Sequence, residues 1–262
     1  MDMHLAGKVA VVTGASKGIG LAVTRALVAE EVRVAAGART TSDELAALAA
    51  DGTVVPVLGD LSAPDGPAAL VDEAVRTFGA IDVLVNNVGA VTPRLDGFLA
   101  IDDAEWERTL AINFLTAVRA TRAALPHLLE RAPSTIVTVC SVNSFLPDPT
   151  VVDYSAAKAA LANLSKSLSK EFGPRGVRVN TVSPGPVETA LWLGDQGVAA
   201  TLAGPGGRDP EAIAKEAVAG TATGRFTRPD EVADVVVLLA GGRAGNVTGS
   251  DVVIDGGLVT TL

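Results

Sequence analysis

Cysteine, histidine and clustered basic charge are all scarce in this sequence. The single cysteine, Cys140, in a chain of 262 residues has no partner for an internal disulfide, so a reducing, cytoplasmic setting is expected. Two histidines, His4 and His127, are too few for a His/Cys metal cluster, and no metal is expected. Acidic residues outnumber basic ones by 30 to 21, giving a formal net charge of -9 with no block of Lys or Arg, which excludes a phosphate backbone and hence nucleic acid as partner. No apolar run approaches the roughly 20 residues of a membrane span. Even VADVVVLLAGG is broken by Asp234, and the start MDMHLAGKVAVVTG lacks the basic-then-apolar layout of a signal peptide. The sequons at Asn163 and Asn246 are therefore expected to stay unused.

What is present is apolar and glycine-rich. Apolar residues make up 48% and Gly numbers 27, a composition suited to buried strands joined by close turns. Short runs dominated by Val occur at residues 8–13, 32–36, 54–58, 81–85, 135–139, 177–182 and 251–254, without the alternation of a half-exposed strand. Helical patterns separate them, including long ones at about 103–129 and around Tyr154. Strands alternating with helices predict an α/β fold, a doubly wound parallel sheet of seven strands with helices on both faces. No linker or repeat interrupts it, so one domain over residues 1–262 is expected. The one compositional break, residues 184–224, mixes turn residues with apolar ones and reads as a lid or substrate-binding insertion.

The first strand runs into Gly14-Ala15-Ser16-Lys17-Gly18-Ile19-Gly20 and then a helix. Glycines let the backbone approach a pyrophosphate, whose charge is favoured by the amides and dipole of the helix start. The same residues match a Gly-x-Ser-x-Gly nucleophile elbow, but that needs a late histidine, and only His127 lies downstream, inside a helical pattern. The nucleotide reading is favoured. About twenty residues on, an acid would take the ribose hydroxyl of NAD and an Arg the extra phosphate of NADP. No acid lies between Glu31 and Asp43, whereas Arg39 and Thr40 follow the second strand and Lys17 stands in the turn. NADP(H) is expected over NAD(H).

Residues 141–158 carry a second chemical group. Tyr154 and Lys158 are four apart in a helical segment, which puts them one turn apart on one face. A phenol ordinarily loses its proton at about pH 10, and a fixed ammonium nearby favours the phenolate. Ser141 is placed to steady a substrate oxygen while Tyr154 gives or takes its proton.

Taken in order, Thr13-Gly-Ala-Ser-Lys-Gly-Ile-Gly20, Asp60-Leu61, Asn86-Asn87-Val88-Gly89, Asn113, Ser141, Tyr154, Lys158, Pro184-Gly185 and Asp255-Gly256-Gly257 resemble the short-chain dehydrogenases/reductases of the single-domain type. The resemblance covers nearly the whole chain. It implies Tyr154 as general acid/base, Lys158 tuning it and holding the nicotinamide ribose, Ser141 binding the reacting oxygen, and Asn113 holding a water in a proton relay; Asn113 otherwise reads as a polar residue capping backbone groups in a kinked helix. It also implies cofactor contacts from Asp60 and Leu61 (adenine), Asn87 and Gly89 (adenosine ribose), Pro184 and Gly185, and Val187 to Thr189 (carboxamide). A homotetramer, packed through the long helix around Asn113 and the Tyr154 helix, is implied as well. Val88 stands where the family usually has alanine, and Cys140, where it often has serine, reads as buried packing.

The activity expected is interconversion of a ketone or aldehyde with an alcohol by hydride transfer, on a small-molecule substrate. A 3-oxoacyl-carrier-protein reductase is a possible subtype, and a nucleotide-binding regulator without chemistry is the other alternative. Substrate choice is assigned to residues 91–99, 145–152 and 191–207, with Trp192 as a substrate contact and Trp106 as a packing residue. Their mixture of apolar and turn residues implies a fairly hydrophobic pocket.

Overall fold

The structure is a computed structural model and describes residues 2–204 and 207–261. The Val-rich runs form β1 (Val9–Thr13), β2 (Arg33–Ala38), β3 (Val54–Leu58), β4 (Val83–Asn86), β5 (Ser134–Val139), β6 (Val177–Pro184) and β7 (Asp251–Ile254). All pair in parallel, in the order β3-β2-β1-β4-β5-β6-β7. The expected seven-stranded, doubly wound sheet is therefore what the chain forms.

Burial on both faces explains the missing alternation. In β1, Ala10 and Val12 enter one core cluster while Val11 enters the other. The first cluster is closed by α1 (Gly18–Ala29) and α10 (Pro229–Ala240), through Leu21, Val23, Leu27, Val232 and Val236. The second is closed by α3 (Gly66–Phe78), α5 (Thr116–Glu130) and α6 (Val152–Phe172), through Leu70, Val71, Ala120, Leu128 and Phe172. Each such Leu, Val or Phe side chain contributes about 1.5–3 kcal/mol by leaving water.

The short helix α2 (Asp43–Leu48) follows β2, capped by Ser42, whose hydroxyl accepts the Leu45 amide. The helix expected over 103–129 is split. It comprises α4 (Asp103–Leu110), one π-helical turn at Ala111–Leu115, and α5. In that turn the Thr116 amide bonds back to Ala111, five residues earlier. The break holds Asn113 and widens the helix where the chain must meet the end of β4.

The segment 184–224 is more regular than an open loop. It contains α7 (Ala190–Leu193), α8 (Val198–Ala203) and α9 (Pro210–Ala219), with Ala199, Ala203 and Ile213 packing between the last two. Pro205 and Gly206, which the substrate segment 191–207 includes, lie outside the described residues.

The strand order switches sides between β1 and β4, with β2 and β3 added on one side of β1 and β4 to β7 on the other. The loops leaving these two strands diverge and leave a crevice at the carboxyl ends, where ligands bind in open α/β sheets.

Candidate active site

The glycine turn sits in that crevice. Gly14 and Gly18 take positive φ of 73° and 56°, a region in which a side chain would be strained. Gly20 faces the turn itself, and a Cβ there would lie 2.0 Å from the Gly14 carbonyl oxygen. Gly18 and Ile19 of the first turn of α1, where leading helix amides have no intrahelical partner, line the crevice. Asn87 secures the other side. Its Nδ2 donates to the carbonyls of Thr13 at 3.0 Å and Gly14 at 3.1 Å, and its amide donates to Thr13 Oγ1 at 2.9 Å. Glycine turn and β4 loop are thus fixed to each other.

A cavity of about 850 Å³ runs from this turn along the carboxyl edge of the sheet. One end is lined by Gly14, Ser16, Lys17, Gly18, Ile19, Arg39, Thr40, Asp60 and Leu61. Arg39 and Lys17 are exposed, two cations at the mouth of this end. Asp60 lies ahead of α3, whose N-terminal flanking residue is Asp65. Asp60 Oδ1 accepts the amide and hydroxyl of Ser62 at 2.9 and 2.7 Å, and these bonds, together with the charge of Arg39, hold its carboxyl below the usual range.

Ser141, Tyr154 and Lys158 line the middle of the same cavity, with Gly89 and Val139. Lys158 is buried, with its Nζ 2.9 Å from the Val139 carbonyl and 5.7 Å from the centre of the Tyr154 ring. Ser141 ends the turn after β5; its hydroxyl donates to Asn143 Oδ1 at 3.1 Å and accepts the Asn143 amide at 3.2 Å. Ser144, the neighbouring hydroxyl, is not a lining residue. Cys140 is buried, and burial pushes its thiol up to about 12, so it acts as packing.

Asn113 is buried in the π turn, and its side chain meets the backbone of Ala90 twice. Oδ1 accepts the Ala90 amide at 3.0 Å, and Nδ2 donates to the Ala90 carbonyl at 2.9 Å and the Thr109 carbonyl at 3.1 Å. The side chain therefore pins the end of the β4 loop, with its polar atoms committed to protein partners. Gly89 passes between Asn113 and Lys158; a Cβ there would be 3.2 Å from Asn113 Oδ1 and 3.4 Å from Lys158 Nζ.

Pro184, Gly185, Val187 and Thr189 close the far wall. Gly185 packs against Asp255, where a Cβ would come within 2.9 Å of the Asp255 Cα. Val187 bridges to Thr227, and the Glu188 amide donates to the Thr227 carbonyl at 2.9 Å.

The remaining lining is mostly apolar: Val142, Leu146, Pro147, Val151, Leu191 and Trp192 among it. Trp192 stands edge-on to Phe226 at 5.8 Å, and Trp106 edge-on to Phe98 at 6.5 Å, away from the cavity. Of the segment 91–99 only Val91 reaches the cavity, whereas Leu95, Phe98 and Leu99 are exposed. Ala217 of α9 and Leu258 also line it. Neither was legible, since each is one apolar residue among many, brought in by the path of a later element.

The hydrolase geometry is absent. His127 lies near the end of α5, which leads to the start of β5, whereas Ser16 follows the carboxyl end of β1, at the opposite edge of the parallel sheet. Among the described residues no group of His, Cys, Asp and Glu could hold a metal ion, and no helix is long and apolar enough to cross a membrane.

The model of the short chain dehydrogenase family matches residues 8–195. A 3-oxoacyl-[acyl-carrier-protein] reductase of Thermotoga maritima is 32% identical over 98% of this chain and 100% of its own. The 3beta-hydroxysteroid dehydrogenase 1 of Eggerthella lenta is 35% identical over 97% of this chain and 94% of its own. Among solved structures, the L-sorbose reductase of Gluconobacter frateurii in complex with NADPH and L-sorbose superposes with a TM-score of 0.90, at 31% identity and full coverage of both chains.

Proposed function

This chain belongs to the short-chain dehydrogenase family, whose members are NAD(P)-dependent oxidoreductases, and we propose that it is an NADP(H)-dependent enzyme interconverting a ketone or aldehyde with an alcohol. One observation carries the reading. Ser141, Tyr154 and Lys158 line the same cavity as the glycine turn and Arg39.

The residues present fit the cofactor. No side chain occupies the turn at Gly14, Gly18 and Gly20, and the amides at the start of α1 would take the pyrophosphate. Ser16 and Ile19 line the same turn, Lys17, Arg39 and Thr40 would hold the 2'-phosphate, and Asp60 and Leu61 the adenine. Asn87, Gly89, Pro184, Gly185, Val187 and Thr189 would form the ribose and carboxamide side. When bound, NADP(H) supplies or accepts the hydride. NADPH in the sorbose reductase supports this choice.

The chain's own chemistry is proton transfer. Tyr154 gives its phenolic proton to the substrate oxygen as negative charge develops there, and takes one back in the reverse direction. Ser141 Oγ turns its hydrogen bond from Asn143 to that oxygen and stabilises the charge. The Lys158 ammonium, fixed by Val139, stands 5.7 Å from the centre of the phenol ring and sets a positive charge beside the reacting group. Asn113 keeps Ala90 and Gly89 in place beside it, and the relay that the family resemblance implies would pass this corner.

The apolar lining favours an uncharged, mainly hydrophobic carbonyl compound over a polyol. A carrier-bound 3-oxoacyl substrate is the second reading, supported by the Thermotoga relative. We take the chain as one domain in which residues 184–224 form the wall over substrate, working in the cytoplasm as the homotetramer its family resemblance implies.

The test is NADPH oxidation across ketones, sugars and acetoacetyl thioesters. Turnover is expected with apolar ketones, and Tyr154→Phe is expected to lower kcat by about 10²–10⁴-fold while NADPH still binds. Wild-type activity in Tyr154→Phe would overturn the assignment.

A further inference from the structure

A buried ion network stands directly behind the proposed proton donor, formed by residues that do not line the cavity. Arg94 leaves the loop after β4 with its side chain only 9% exposed and meets Asp153, 2% exposed, at the start of α6. Its Nε donates to Asp153 Oδ2 at 3.0 Å and its Nη2 contacts the same oxygen. Nη1 donates to Glu105 of α4 at 2.6 Å, and Nη2 reaches Thr109 Oγ1 at 3.4 Å. Thr109 in turn donates to Asp153 Oδ2 at 2.8 Å. The network touches the reaction corner at three points. Asp153 Oδ1 accepts the Tyr154 amide at 3.0 Å; the Thr109 carbonyl accepts from Asn113; and the Arg94 amide donates to the Thr150 carbonyl at 2.7 Å, joining the two loops that carry Val91 and Val151.

Burying the Asp153 carboxylate with a guanidinium, while Glu105 keeps 29% of its side chain exposed, costs desolvation that packed apolar residues would avoid, so stability alone is a weak reason for the arrangement. What it provides is rigid register between elements far apart in sequence. Arg94 and Asp153 are 59 residues apart, yet the bond sets where the first turn of α6 sits relative to the β4 loop. The bond to Asp153 holds the Arg94 charge firmly in place, and Asp153 stays ionised because Arg94 and Thr109 outweigh its burial. We infer that Arg94 is a positioning residue, which through Asp153 and Thr109 holds Tyr154 and Asn113 in the geometry for proton transfer. The inference rests on the oxidoreductase reading above.

The full-length chain tests it by kcat and KM with its best ketone, and by NADPH binding followed through fluorescence. Arg94→Met is expected to lower kcat by about 100-fold, the scale of a displacement of about 1 Å at a reacting group, with NADPH affinity unchanged. Arg94→Lys should recover part of the loss, and Thr109→Val should lower kcat by about tenfold. Arg131→Met is the control, since Arg131 pairs with buried Asp82 at 3.2 Å at the opposite edge of the sheet. It should lower the melting temperature and leave kcat intact. Wild-type kcat in folded Arg94→Met overturns the inference. Should that variant not fold, wild-type kcat in Thr109→Val overturns it, and so does a fall in kcat for Arg131→Met that matches its loss of stability. A wild-type chain that binds NADPH but reduces no carbonyl would refute the functional reading instead.

Discussion

The Lys158 ammonium donates to the carbonyl oxygen of Val139 at 2.9 Å, tying α6 to the end of β5 at the point where both meet the cavity. A buried ammonium needs such a partner, and the bond aims the charge at the Tyr154 ring, 5.7 Å away.

Lys158→Met removes that charge and leaves the Val139 carbonyl without its donor. We expect kcat to fall by about 10²–10⁴-fold and NADPH binding to weaken. Lys158→Arg is not a rescue, because the planar guanidinium does not fit a site only 3% exposed. Steady-state kinetics and cofactor titration of both variants provide the check.

The proposed NADP(H) preference rests on Arg39. Exposed at the adenine end beside Thr40 and across from Lys17, it would pair with a 2'-phosphate that NADH lacks. A charge-assisted bond of about 1.5–3 kcal/mol converts to roughly 10–150-fold in kcat/KM. Arg39→Ala should therefore cost that factor with NADPH and little with NADH. An NADH preference in the wild type would contradict the assignment.

Gly20→Ala tests the cradle. The new Cβ would sit 2.0 Å from the Gly14 carbonyl oxygen and 2.5 Å from Asn87 Nδ2, so backbone has to move. A loss of about 1–3 kcal/mol in stability is expected from overpacking. The sharper readout is ligand-induced: NADPH should raise the melting temperature of the wild type and no longer that of the variant.

These residues were readable from sequence because each signal is local. Tyr154 and Lys158 share a helix face through their spacing, and the glycines of the turn mark conformations that only the backbone around them demands. The strands were readable because a doubly covered sheet needs unbroken Val-rich runs. Arg94 with Asp153 is the opposite case. No pattern joins two charges 59 residues apart, and both look like surface residues until the fold buries them. The π turn at Asn113 was legible only as far as a kinked helix in which Asn113 caps backbone groups. Its apolar spacing continues that of the flanking helices, and only the bonds from Asn113 to Ala90 show why the helix opens there. Ala217 and Leu258 reach the cavity through the paths of α9 and the chain end, which no residue near the catalytic motifs announces.

Glu231 gives a prediction for pH. Its carboxylate accepts two bonds from Arg225, at 2.8 and 2.7 Å, and the Arg228 amide at 2.8 Å, which closes the start of α10. Arg225 first and the Arg228 amide second hold it down to about 2. A folded value below the unfolded one, about 4.3, means that the carboxylate contributes stability above that pH and loses it as pH falls toward 2. Glu231→Gln should accordingly melt lower than wild type at neutral pH, with the gap closing between about pH 4 and pH 2. The exposed side of the cluster makes the gap small and sensitive to salt. The effect is expected to reach the cavity, because the same segment carries Thr227, bridged to Val187, and Phe226, edge-on to Trp192. KM for the carbonyl substrate should rise in Glu231→Gln at neutral pH while NADPH affinity holds. Identical melting curves for the two proteins at neutral pH would show that Arg225 and Glu231 do not order this wall.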